Sequence, residues 1–193
     1  MPPQLCVVYD ACVLYPNALR DFLIRVAQEG MVSAHWTERI LDETFRNLSE
    51  NRPELADRLP RLRKLMCDAV LDWEITDYES LLESLALPDP NDRHVLAAAI
   101  QRSAQVIVTF NLSDFPEEAL RPHHITALHP DAFALELLTQ APGEVQEVLR
   151  LQAAPTKNPA LTVNQVLGSL ERCGLKRFAS TARERWGLSK TVS

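Results

Sequence analysis

The chain has 193 residues, 46% hydrophobic and 24% charged, and its 20 basic and 26 acidic side chains give a net charge of −6. That length suits one well-cored domain with an appendage, or one large domain, and the composition is that of an ordinary soluble globular protein. No apolar run is long enough to span a bilayer, and the start, Met1-Pro2-Pro3-Gln4, lacks the basic region that opens a signal peptide.

The continuous apolar run Leu5-Cys6-Val7-Val8-Tyr9 has the pattern of a buried parallel strand, and Asp10 closes it. Residues 18–29 have helical periodicity and stop at Gly30, a C-cap signal. Met31-Val32-Ser33-Ala34 reads as a short second strand. Residues 36–48 predict an amphipathic helix with Trp36, Ile40, Leu41, Thr44 and Leu48 on its buried stripe. Another helix is expected over 53–67, with Pro53 near its start, and a weakly alternating strand over 70–75.

Pro88-Asp89-Pro90-Asn91 is a turn that leads into an alanine-rich helix opening at Asp92. Ala97-Ala98-Ala99 gives that helix high propensity and little bulk, so it can pack close to a sheet. Residues 105–110 give the clearest strand after the first. Alternating strands and helices imply an α/β fold with a central parallel sheet covered by helices.

Past Pro130 the character changes. Residues 131–153 read as one or two helices broken at Ala141-Pro142-Gly143, and Pro155-Thr156-Lys157-Asn158-Pro159 as a linker. Thr162 can cap a helix that runs to about residue 172 and stops at Cys173-Gly174, with a last helix over 176–186. The expected division is therefore an α/β domain over 1–130 and a helical extension over 131–193. Residues 141–193 hold eight basic and four acidic side chains, against twelve and twenty-two elsewhere. An acidic body with a basic tail can bind a polyanion, although the tail's charges also serve as a solvated helix surface.

Four acidic residues stand where ligand sites form in such folds, at strand ends and helix starts. Asp10 ends the first strand, Asp92 opens the alanine-rich helix, Asp114 follows the strand over 105–110, and Glu43 sits beside the buried stripe of the helix over 36–48. Each has a plainer reading alone: a loop residue, an N-cap, an Asx-turn, a solvated helix face. Asp89 competes with Asp92, and Glu38 and Asp42 with Glu43. Together, the four would repel one another unless divalent cations neutralised them, and hard cations prefer oxygen ligands. Metal-dependent phosphodiester hydrolysis is the first chemistry this implies. Asn47, one turn beyond Glu43, and Thr109 and Asn111, at the end of the strand over 105–110, can hydrogen-bond around such a site. The cysteines, Cys6, Cys12, Cys67 and Cys173, have neither CxxC spacing nor a histidine cluster, and read as reduced thiols of a cytoplasmic protein. His35, His94, His123 and His124 lack ligand spacing, and the chain has neither a glycine-rich phosphate loop nor a Gly-x-Ser-x-Gly elbow.

Four segments in this order resemble the PIN-domain ribonucleases, and in particular the VapC-like toxins of bacterial toxin–antitoxin pairs. They are Val8-Tyr9-Asp10-Ala11-Cys12-Val13-Leu14, Ile40-Leu41-Asp42-Glu43 with Asn47-Leu48, Pro88 through Ala99, and Ile107 through Pro116. The last two together are specific, and the resemblance covers roughly residues 5–130. It implies a three-layer α/β/α fold, acidic residues that bind Mg²⁺ or Mn²⁺, and endonucleolytic cleavage of RNA that leaves a 5′-phosphate. The acidic set carried over is Asp10, Glu43, Asp92 and Asp114. A cognate antitoxin that covers the acidic groove, and a homodimer, are the implied partners. Many relatives have aspartate where this chain has Asn111, which puts a second metal site in question.

Three other readings stay open. A PIN fold that has lost catalysis would act through protein or nucleic-acid binding, and Asn111 keeps that alternative alive. A haloacid-dehalogenase-like phosphatase would use Asp10 as nucleophile, but it wants a second aspartate where this chain has Cys12. Residues Thr162 to Arg185 would form either a DNA-touching helix-turn-helix or a plain packing hairpin.

Overall fold

In the computed structural model, which describes residues 4–154 and 161–189, the first apolar run becomes the hub of the sheet. β1 (Cys6–Tyr9) leads through a four-residue helix, α1 (Ala11–Leu14), into α2 (Asn17–Gln28), whose chain turns back at Gly30 with φ +71°. The buried Arg20 donates to the carbonyls of Leu14 and Tyr15 at 2.8 and 3.0 Å, which ties the end of α1 to α2. β2 (Ser33–His35) follows, then α3 (Glu38–Asn51). The expected helix over 36–48 thus starts two residues late. The Thr37 hydroxyl accepts from the Ile40 amide at 3.1 Å and so sets the helix start, while Trp36 pairs with Glu74. That single bridge is all that forms of the strand expected over 70–75.

The helix expected over 53–67 begins as a 3-10 segment, Pro53–Arg58, and becomes regular in α4 (Leu59–Ala69). Another 3-10 turn, Pro90–Asp92, precedes α5 (Arg93–Gln101). β3 (Val106–Val108), α6 (Glu117–Leu120) and β4 (Thr126–Leu128) complete the sheet. Its strands are all parallel, in the order β2-β1-β3-β4, with Val8 beside His35 on one side and Ile107 on the other. Right-handed crossovers put α2 and α5 on opposite faces. Ala97, Ala98 and Ala99 are fully buried, and their small side chains let α5 lie close against β1 and β3.

The C-terminal part comprises α7 (Pro130–Gln140), α8 (Pro142–Ala153), α9 (Val163–Arg172) and α10 (Lys176–Trp186). The break falls at Ala141-Pro142, as expected. α9 opens with a reciprocal capping box between Thr162 and Gln165. The linker expected over 155–159 lies outside the described residues. These helices share the core of the α/β part: the Phe133 ring packs edge-on to Tyr9 at 6.3 Å, and Phe178 packs on Phe22 at 5.4 Å. The buried Asp131 carboxylate accepts the Phe178 and Arg177 amides at 2.8 and 3.1 Å, which caps α10 from α7.

Candidate active site

The carboxyl ends of β1 and β3 lie side by side, and α3 and the start of α5 rise around them to leave a cleft of about 650 Å³. Asp10, Glu43, Asp92, Asn47 and Asn111 all line it. Asp114 does not. It lies half-buried on the 3-10 turn Leu112–Asp114, close enough for its charge to act on Asp92. A second groove of about 590 Å³, lined by Tyr15, Leu48, Leu55 and Leu59 among others, has no carboxylate in its wall.

Asp10 is only 5% exposed, and its two oxygens have different fates. Oδ2 accepts the Thr109 hydroxyl at 2.7 Å and the Cys12 thiol at 3.0 Å. Both donors are themselves held by backbone amides: Asn111 N–H donates to Thr109 Oγ1 at 3.0 Å, and Phe110 N–H to Cys12 Sγ at 3.3 Å. Oδ1 has no hydrogen-bond partner among the described residues. One oxygen is thus fixed by the end of β3 and the other is left for a ligand. Burial, with the Asp10 charge adding to it, pushes the Cys12 thiol up to about 12, so it stays protonated and donates.

Asp92 occupies the N-cap position of α5, yet its carboxylate makes no capping bond. Asp89 caps the preceding turn instead, accepting from Asn91 N–H at 2.8 Å. Burial and then the charges of Asp10, Asp89 and Asp114 push the Asp92 carboxyl up to about 6. His94 opposes that field only in part.

Glu43 lies between His94 and Arg39, 3.1 Å from His94 Nε2 and 3.3 Å from Arg39 Nε. Burial by itself would raise its carboxyl, but hydrogen bonds from His94 and Arg39 outweigh burial and hold it below the usual glutamate range. His94 is 1% exposed, its Nε2 faces Glu43, and its Nδ1 has no partner among the described residues.

Sequence reasoning set His94 aside, gave Cys12 no part in the site, and overlooked Arg39 and Arg46. His94 lies two residues past Asp92 at the buried start of α5, and only the packing of α5 against α3 gives it a role. Arg39, Asp42, Glu43, Arg46 and Asn47 line the cleft at i, i+3, i+4, i+7 and i+8, a helical face that the spacing does carry. Arg39 is engaged by Glu43 and by the Asn91 carbonyl at 3.4 Å, and Asp42 pairs with Arg63 at 2.8 Å. Arg46 is exposed and has no ion-pair partner among the described residues.

Among the described residues, no three His, Cys, Asp or Glu side chains are drawn together tightly enough to hold a metal ion between them. What the cleft offers is a buried aspartate with one committed oxygen, a second aspartate in a field that stays negative, and a rim of arginine and amide groups.

A cleft walled by carboxylates at the carboxyl edge of a parallel sheet places the chain among the α/β proteins whose ligand sites form at strand ends. Within that class, residues 5–113 match the family model of the PIN domain, more than half of the chain. The chain belongs to the PIN-domain family. Residues 130–184 match the model of the VapC50 C-terminal domain, so the likeness to VapC proteins runs through both parts. The chain is also 41% identical over 92 residues to the putative ribonuclease VapC50 of Mycobacterium tuberculosis (strain ATCC 25618 / H37Rv). That stretch is 48% of this chain and 54% of the relative, so the chain spans about half the length of the curated relative it matches. No solved structure matches.

Proposed function

We propose that the protein is a divalent-cation-dependent endoribonuclease that hydrolyses RNA phosphodiester bonds and acts as the toxin of a toxin–antitoxin pair. The observation that carries this reading is Asp92: a carboxyl on the same cleft as Asp10 whose negative surroundings His94 offsets only in part. The likeness to a protein named as a putative ribonuclease supports the same reading.

The donor set fits Mg²⁺ or Mn²⁺. Mg²⁺ keeps several waters and is commonly held by only one or two carboxylates, so a tight three-ligand cage is not required. Asp10, through Oδ1, and Asp92 would hold it, with Glu43 and Asp114 reaching it through water. Bound there, the cation polarises a phosphate oxygen and lowers the pKa of a water. Thr109 and Cys12 keep Asp10 from turning. His94 and Arg39 keep Glu43 ionised at the cleft wall. Asn47 and Asn111 present amides to the RNA. We further propose that residues 1–130 supply the chemistry and 131–193 support them, and that the antitoxin offers a basic side chain to the same carboxylates.

Arg46 stands on the rim as a cation free to meet a phosphate. Arg46→Ala should raise KM about 10-fold with kcat unchanged, and lower the salt slope of binding by about 1. Cleavage kinetics across a salt series read both.

The deciding experiment is cleavage of a mixed RNA by the purified protein in Mg²⁺ or Mn²⁺ against EDTA, with Asp92→Asn alongside. Metal-dependent cleavage lost in the variant supports the reading. A folded protein that neither cleaves nor binds Mn²⁺ overturns it in favour of a binding-only PIN fold, the reading that Asn111 in the cleft wall favours.

A further inference from the structure

The C-terminal helices reach the cleft through one aromatic ring. Phe110 leaves the end of β3 between Thr109 and Asn111, and its side chain turns away from the cleft. The ring meets His129 edge-on, with centroids 5.1 Å apart. On another side lies Gly174, in the turn between α9 and α10, where an added Cβ would sit 3.3 Å from Phe110 Cε1. The φ of Gly174 is +102°, a region that side chains rarely adopt, so both the turn and the close approach call for glycine.

Both partners of the ring are themselves fixed. His129 Nδ1 accepts the Asp131 amide at 3.1 Å, and the Asp131 carboxylate caps α10. α10 packs on α7 and α9, and the Gly174 turn is thereby held in place. On the other side of Phe110, its own backbone N–H donates to Cys12 Sγ, and Cys12 donates to Asp10 Oδ2. The next amide, Asn111 N–H, holds Thr109 Oγ1, the second donor to that oxygen. The chain of contacts runs without a gap from the α9–α10 turn to the carboxylate.

We propose that the helical extension is a working part of the catalytic unit, and that Phe110, clamped by Gly174 and His129, is a positioning residue that sets Asp10 and Asn111. The consequence for turnover rests on the nuclease reading above; the buttress itself does not. A misplacement of about 1 Å at a reacting centre costs about 10²-fold in rate, so a small shift at Phe110 is enough to matter.

The test uses the full chain with Phe110→Ala, Phe110→Leu and Gly174→Ala, read by amide hydrogen exchange and by cleavage. The expected result is exchange at Phe110 and Asn111 that is ~10-fold faster in Phe110→Ala and Gly174→Ala. Cleavage by Phe110→Ala should lose about 10²-fold in kcat with KM held. Adding Gly174→Ala to Phe110→Ala should cost little more in kcat, because the rate is lost through one contact, while the backbone strain of alanine at φ +102° should lower Tm in either background. Phe110→Leu, which keeps bulk between the two walls, should recover most of the rate. Phe22→Leu weakens the Phe22–Phe178 contact that fastens the same helices away from the cleft; it should lower Tm and spare kcat. Unchanged exchange at 110–111 in a folded Phe110 variant overturns the proposal, as does an equal loss of kcat in Phe22→Leu. If the parent protein neither cleaves RNA nor binds Mn²⁺, the nuclease reading fails on its own, and the exchange data still decide the buttress. If Phe110→Ala does not fold, Phe110→Leu and Gly174→Ala carry the same comparison.

Discussion

Asp92→Asn should silence the protein and make it sturdier. The loss of cleavage is expected at about 10²–10³-fold, the scale of removing one preorganised charge-stabilising group. The gain is expected at about 1 kcal/mol in metal-free buffer, because the native fold holds this carboxyl against burial and three like charges. Asparagine keeps the shape and ends the repulsion. The pH dependence has a definite sign. The folded-state pKa of about 6 lies above the ordinary 3.8, so between those values the native state binds more protons than the unfolded chain. The contribution of Asp92 to the stability of the metal-free parent should therefore be greatest below about pH 4, fall as pH rises to about 6, and level off above. The variant should lack that fall. Melting curves in EDTA from pH 4 to 7, for both proteins, read the slope and the gain together. A variant less stable than its parent at pH 7 would mean that the Asp92 carboxylate makes native bonds, and would remove the main argument for a cation beside it.

That a charge cluster costs stability also explains what was legible in the sequence and what was not. The strand-end position of Asp10 and the turn-to-helix position of Asp92 were readable because local patterns place them: an apolar run that stops, and a Pro-Asp-Pro-Asn turn before alanines. β1, α2, α9 and α10 were readable for the same reason, through β-branched runs, glycine stops and the Thr162 cap. β4 was not, because Thr126–Leu128 is a three-residue edge strand with only partial burial and no periodicity of its own. The strand expected over 70–75 failed because Trp36 accepts just one partner there. Within the site, Glu43 was placed by its stripe, but its partner His94 was not, since the pair meets only when α3 and α5 pack. Cys12 was read merely as the residue that counts against a phosphatase. Its role depends on Thr109 and Phe110, nearly a hundred residues away, which no local pattern carries. Asp114 is the converse case. Its position after β3 suggested a wall residue, yet the 3-10 turn brings Asn111 to the cleft and leaves Asp114 to act through its charge.

Thr109→Val is the substitution that should damage fold and function together. The side chains have nearly the same shape and Thr109 is fully buried, so packing is spared and the hydroxyl alone is lost. Two partners are then stranded. Asp10 Oδ2 loses its shortest hydrogen bond, at 2.7 Å, in a residue with little access to water. Asn111 N–H loses its acceptor. A hydrogen bond to a charged group is worth about 1.5–3 kcal/mol, and the poor access of Asp10 to water puts the cost near the upper end. The Cys12 thiol remains as the sole donor to Oδ2, and a weaker one. Asp10 is then free to turn, and Oδ1 no longer points reliably into the cleft, so cleavage should fall about 10²-fold as well. Thr109→Ser restores the hydroxyl and should recover most of both. Urea titrations report the stability change as a shift in midpoint at constant slope, and cleavage rates report the rest. Stability lost with full activity in the valine variant would mean that Cys12 suffices to aim Asp10. Activity lost with no change in midpoint would mean that Thr109 itself faces the substrate, and not Asp10 alone.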